Sequence, residues 1–156
     1  MRKRMNIKEI IVILVAGCCM GMVFNSVNRN KIPLIAPTKA EIYARRNIPT
    51  LTMEEAKADF DRGIAIFLDA RDPDEYQEGH IKGALNLPVR HLDVYYPRMK
   101  ALLPKEAHLI LYCASPECNA SLYLAEELAR LEYDRIEVML GGWEGWEELG
   151  YPAEGS

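Results

Sequence analysis

The sequence is poor in several things, and each shortage narrows the explanation. Residues 32–156 are short of positive charge. The first 31 residues hold six basic side chains and one acid, a net +5 against −4 for the whole chain, which leaves −9 for the remainder. So acidic a body offers no basic face to neutralise phosphates, and no nucleic-acid partner is expected. There is no internal repeat and no low-complexity segment. Cysteine occurs four times and histidine three times. A zinc site usually takes four ligands, and His108, five residues before Cys113 on one strand, points to the opposite face. No metal and no other cofactor is expected.

What is present is 156 residues of ordinary globular composition, enough for one compact domain and an appendage. The appendage is amino-terminal. Residues 1–9 form a basic flank, and residues 10–28 are free of charge. As a helix, 19 residues reach roughly 28 Å, against a hydrocarbon core of about 30 Å. Three readings compete. The leading one is an uncleaved signal anchor. The second is a lipoprotein, because "VAGC" ending at Cys18 is similar to a bacterial lipobox. The third is a cleaved signal peptide, although no small-residue cleavage site followed by polar sequence stands out. Basic residues ahead of the run favour a cytoplasmic amino terminus. The expected arrangement is a single-pass membrane protein whose carboxy-terminal body lies outside the cytoplasm, in the periplasm if the cell is Gram-negative. Residues 29–49, interrupted by Pro33, Pro37 and Pro49, read as a linker.

The body, 50–156, alternates helix and strand. "TMEEAKADFDRG" opens on a capping box, Thr52 with Glu55, and stops at Gly63. "IAIFLDA" is a short apolar strand of the buried, parallel kind. "DPDEYQEG" gives one or two helical turns and "ALNLP" a second strand. "HLDVYYPRMKALLP" is a helix, with the residue before Pro97 as the place where it could break. "AHLILYC" is a third strand and "ASLYLAEELARLEY" a helix with Leu124, Leu128 and Leu131 on one face. "DRIEVML" is a fourth strand, and "GGWEGWEELG" a last short helix. Such alternation implies an α/β domain with a small, mainly parallel sheet flanked by helices.

"FLDARDPDEYQEGHIKGALNLP" resembles the first signature of rhodanese-like domains, "GGWEGWEELGYP" resembles their carboxy-terminal one, and "LILYC" lies where the family's strand ends at its active-site cysteine. The resemblance covers about residues 50–154. It implies a rhodanese-like fold and sulfur transfer: a cysteine takes a sulfur atom from a small donor such as thiosulfate and passes it to a thiol or other thiophilic acceptor. It names no protein partner. Asp69, Arg71, Glu75 and His80 match positions of the first signature and read as scaffolding, with Arg71 alternatively lining the cysteine cleft. Gly141 and Gly142 are expected to allow tight backbone. Trp143 and Trp146 are expected to pack.

The placement of Cys113 makes chemical sense by itself. In open α/β sheets ligands bind beyond the carboxyl ends of strands. A helix follows Cys113, so loop and helix N–H groups would favour an anion there, and a thiol so placed is expected to be reactive. The expected anion cradle is Ala114, Ser115, Glu117, Asn119, Ala120 and Ser121. The loop departs from the family's usual one. It is longer, Pro116 removes a donor, and it holds no cation while Glu117 is acidic, so thiosulfate is poorly served. Cysteine phosphatases need an arginine six positions after the nucleophile, and residue 119 is Asn. Cys118 has three readings: it resolves a persulfide on Cys113, forms a disulfide with it, or packs beneath the loop. The two Cα atoms are expected to approach within about 7 Å. Three functions stay open: a sulfurtransferase or sulfur carrier using Cys113, a catalytically silent rhodanese-like binding module, and a dithiol redox protein using Cys113 with Cys118.

Overall fold

The computed structural model describes residues 6–27 and 37–155. They fall into two separate units, divided between Pro37 and Thr38.

The first unit is one helix, α1 (Ile7–Val27). It starts before the expected span, taking in Lys8 and Glu9; Asn28 lies outside the described residues. At 21 residues it is about 32 Å long. It is long and apolar enough to cross a membrane. It buries none of its residues, so its apolar faces find no core of their own.

The second unit contains α2 (Lys39–Arg45), β1 (Thr50–Leu51), α3 (Met53–Arg62), β2 (Ile66–Asp69), α4 (Pro73–Glu78), β3 (His80–Ile81), β4 (Leu85–Asn86), α5 (Leu92–Met99), β5 (Leu109–Tyr112), α6 (Ala120–Arg130), β6 (Ile136–Met139), α7 (Gly142–Glu148) and β7 (Ala153–Glu154). Five strands form a sheet in the order β1-β6-β5-β2-β4, every pair parallel. β3 and β7 pair antiparallel as a separate ribbon.

Strand alternation divides the core between the two faces. Leu109 and Leu111 of β5, with Leu68 of β2, pack on the side of Leu124 and Leu128 from α6. Ile110 and Tyr112, with Phe67, pack on the other side against Ala56 of α3 and Trp146 of α7. Both tryptophans are buried, Trp146 completely. α3 has the expected capping box at Thr52 and Glu55, and stops at Gly63 in the left-handed conformation, φ 63°.

Three expectations differ from the structure. The first is the linker 29–49. Residues 28–36 lie outside the described residues, but Thr38 caps α2 with Glu41, and Tyr43 is buried in the core. Pro37 and Pro49 bracket that helix rather than interrupt it. Second, α5 is not broken at Pro97 but runs through it to Met99. The only bond proline removes is to the carbonyl of Asp93, where water can substitute in a helix with no buried residue. Third, β1, β3 and β7 have two residues each and add an edge strand and a ribbon that the sequence pattern does not suggest.

Candidate active site at the end of strand β5

β2 and β5 end level with one another, Asp69 opposite Tyr112. The residues that follow diverge. After β2, Arg71 turns back on Asp69. Its Nε and Nη2 donate to Asp69 Oδ1 and Oδ2 at 3.0 and 2.6 Å, and its backbone N–H reaches Oδ1 at 2.9 Å. Nη2 also donates to the Gly79 carbonyl at 2.6 Å, which ties the far end of α4 to the same pair. The guanidinium lies over the Trp143 ring, 5.2 Å from its centre. Asp69 is fully buried and Arg71 nearly so, so the pair is compensated where an unpaired charge would be costly. Burial pushes the Tyr112 phenol far above its usual range, and the neighbouring Asp69 adds to this, so it stays neutral.

After β5 comes Cys113, itself buried. Its carbonyl accepts the N–H of Trp143 at 2.7 Å, and that of Ala114 accepts the N–H of Glu144 at 2.9 Å. These donors belong to the first turn of α7, whose N–H groups have no partner within the helix. The approach requires glycine: a Cβ on Gly142 would lie 2.6 Å from the Cys113 oxygen and 2.8 Å from that of Ala114, and its φ is +66°. The tight backbone expected at this glycine is therefore a contact with the cysteine itself. In a trans peptide N–H and C=O point opposite ways. With both carbonyls turned toward α7, the N–H groups of Ala114 and Ser115 face away from it, and neither has a backbone acceptor among the described residues.

The loop then folds back. Cys118 N–H donates to the Ser115 carbonyl at 3.2 Å, closing a turn with Pro116 at its second position, where proline's fixed φ suits a turn. Ser115 Oγ donates to Glu117 Oε2 at 2.9 Å and accepts the Glu117 N–H at 3.3 Å. Cys113 and Cys118 are joined as a disulfide with Cα atoms 6.1 Å apart, inside the expected distance. Asn119 precedes α6 without a side-chain cap, and α6 starts at Ala120. Ser121 is engaged elsewhere, its hydroxyl 3.1 Å from that of Tyr43.

The loop has no cation of its own, but other elements bring cations to it. Lys39 at the start of α2 donates through Nζ to the Cys118 carbonyl. Burial lowers the pKa of this lysine, and Glu117 nearby acts against the shift. α2, the loop and the β6–α7 turn enclose a cleft of about 650 Å³, walled by Lys39, Ile42, Tyr43, Cys113, Pro116 and Leu140. A second cavity of about 100 Å³ borders Cys113 and Cys118 and is lined by Arg71, Glu75 and Arg90. Arg90 is held by Asp72 at 3.2 Å. Arg71 is thus both an ion-pair partner and a lining residue. His80 lines neither space. It stacks on Tyr76, bonds the Tyr76 carbonyl at 2.7 Å and meets Glu154 across the β3–β7 ribbon, a scaffolding position. Lys39, Tyr43 and Arg90 are the site residues that the sequence pattern misses. The capping box at Thr38 and Glu41 is the signal for the first two, and Arg90 has none.

Comparison with known proteins agrees with this architecture. Residues 52–149 match the family model of the Rhodanese-like domain. The chain is 30% identical over 105 residues to the uncharacterized protein YqhL of Bacillus subtilis, covering 67% of this chain and 77% of that one. It is 26% identical over 102 residues to the thiosulfate sulfurtransferase GlpE of Tolumonas auensis, covering 65% and 90%. The crystal structure of the BH2092 protein from Bacillus halodurans superposes with a TM-score of 0.63 at 28% identity, over 74% of this chain and 82% of that one. A parallel sheet ending in a cysteine loop, the two signatures and the matched family model all agree: this chain belongs to the rhodanese-like domain family.

Proposed function

We propose that the protein is a membrane-anchored sulfur carrier or sulfurtransferase whose nucleophile is Cys113 and whose resting form is the Cys113–Cys118 disulfide. The observation that carries the reading is the loop geometry: a cysteine bolted to α7 through its own carbonyl, followed by two N–H groups that have no backbone acceptor among the described residues and face away from that helix. Such donors stabilise a thiolate or persulfide.

A dithiol reductant first opens the disulfide, giving two thiols and its own disulfide. The Cys113 thiolate attacks the outer sulfur of a persulfide-type donor, R–S–SH, forming Cys113–S–SH and releasing RS⁻. An acceptor thiol then takes the outer sulfur. Alternatively, Cys118 attacks the Cys113 sulfur, forming the disulfide and releasing HS⁻. The second route makes the protein a dithiol redox module as well, and the bonded pair of cysteines favours keeping that reading. The silent-module reading rests on a loop without cations; Lys39 and Arg90 supply them from α2 and the segment before α5. The 650 Å³ cleft is of the size that takes an organic ligand rather than a small inorganic dianion, and Glu117 on its wall disfavours the dianion further.

Intact mass of the purified full-length chain, reduced, treated with an organic persulfide and desalted, is expected to rise by one sulfur. Cys113→Ser is expected to abolish both that adduct and turnover, while Cys118→Ser keeps the adduct. Full transfer activity in Cys113→Ser overturns the mechanism.

α1 is proposed as the anchor, with the body outside the cytoplasm, an environment in which a disulfide persists. A reporter active only outside the cytoplasm, fused after Ser156, is expected to be active. A well-expressed but inactive fusion reverses the topology. Cys18→Ser is expected to leave anchoring intact, and release of the body by that change favours the lipoprotein reading instead.

A further inference from the structure

At the opposite end of β5 from Cys113, His108 stands between two acids. Asp59 of α3 and Glu137 of β6 meet it there. One ligand atom from each of the three lies within 4.8 Å of the others. His108 and Asp59 are more than nine-tenths buried.

The two ring nitrogens of the imidazole are not equivalent. Nε2 contacts Glu137 Oε2 directly. A carboxylate only accepts, so Nε2 must carry a hydrogen and donate it. In the neutral ring this leaves a lone pair on Nδ1. That atom is buried without any hydrogen-bond partner among the described residues. It faces Asp59 Oδ2 at 3.7 Å, too far for a hydrogen bond and with acceptor turned to acceptor. Asp59 is itself a carboxylate whose other oxygen, Oδ1, is taken by Arg62. A buried lone pair that faces a carboxylate oxygen is costly unless something positive lies between them.

The separation indicates what that is. Zinc bonds imidazole nitrogen and carboxylate oxygen at about 2.1 Å, which puts two donors on one ion roughly 3.4–3.7 Å apart. The remaining feature also fits. A ligating histidine commonly gives its other N–H to a carboxylate, which fixes the tautomer and raises the basicity of the bound nitrogen. Glu137 occupies that place. One imidazole with carboxylate and water suits zinc or a similar first-row divalent ion better than calcium or magnesium, which prefer oxygen alone.

We infer that His108 Nδ1 and Asp59 Oδ2 form a binding site for a zinc-like divalent cation, with Glu137 as the partner that orients His108 and water completing the coordination. The ion would staple α3 to the foot of strands β5 and β6. This revises the expectation of no metal, which considers His108 only in relation to Cys113. The inference is independent of the sulfur chemistry proposed above.

The test is calorimetric titration of zinc into the full-length chain in detergent micelles. It is done near neutral pH with the Cys113–Cys118 disulfide closed and with Cys18 and Cys19 replaced by serine, so that no thiol competes. One zinc per chain is expected, together with a rise in Tm that grows with zinc concentration. Asp59→Asn is expected to lose both. Glu137→Gln is expected to weaken binding by about tenfold. His108→Ala also empties a buried position and can unfold the chain, so the near-isosteric Asp59→Asn is the deciding variant. Absence of zinc uptake by the folded parent overturns the inference, as does undiminished uptake by Asp59→Asn. If zinc does not bind and the parent, but not Asp59→Asn, loses stability as pH rises, a proton fills the gap and the metal reading is wrong.

Discussion

The segments that leave β2 and β5 start level on the same sheet, yet they are built in opposite ways. The one after β2 is closed on itself: Asp69 and Arg71 satisfy each other with several bonds, and Arg71 reaches on to Gly79. The one after β5 is anchored at its first two carbonyls, with the N–H groups of Ala114 and Ser115 lacking a backbone acceptor among the described residues and a disulfide clasping its two ends. The difference separates frame from instrument. Buried polar groups that are fully paired set geometry, while unpaired ones at a strand end are available for chemistry.

Arg71→Ala should show this contrast most strongly. It leaves the Asp69 carboxylate buried without its cation, with only the backbone N–H of residue 71 and the Tyr112 hydroxyl still at hand, and a loss of about 3–5 kcal/mol is expected in urea denaturation. A loss below about 1 kcal/mol would mean that the segment after β2 is no frame at all. Gly142→Ala probes the point where the open segment is bolted down. Its Cβ would strike the Cys113 and Ala114 oxygens, so a loss of about 2 kcal/mol is expected. Sulfur transfer should fall further than in a surface variant of equal stability, because the cysteine itself is displaced; equal activity at equal stability would detach Gly142 from the site. The smallest effect is expected at the loop tip. Glu117→Gln should change stability by less than about 0.5 kcal/mol and raise turnover of thiosulfate by about threefold, as one like charge leaves the cleft wall. A large stability loss there would place the tip with the frame.

Legibility in the sequence follows the same division. α3 and α6 are readable because their signals are local: a capping box, a stop glycine, leucines at helical spacing. Cys113 is readable because a strand end and a following helix define its position. α2 carries the same capping signature as α3 but is obscured by prolines on both sides, which in fact mark its limits. β1, β3 and β7 are too short for any period to show. Lys39 and Arg90 come to the cysteine from other elements, and only the packing of α2 and of the turn before α5 brings them there. The Asp59–His108–Glu137 cluster is hidden for the same reason, since its members belong to three separate segments of the chain.

α2 lies ahead of the stretch that matches the family model, yet it ties down both the cysteine loop and the helix that follows it: Lys39 bonds the Cys118 carbonyl, and Tyr43 meets the Ser121 hydroxyl in the first turn of α6. Mechanically, the route from the amino-terminal edge of the body to the disulfide is therefore one lysine side chain long. A pull on the chain at Thr38 would meet the loop through Lys39 and the core through Tyr43, both ahead of the first strand residue, Thr50. The loop that carries the disulfide thus shares its support with the segment that leads into the body.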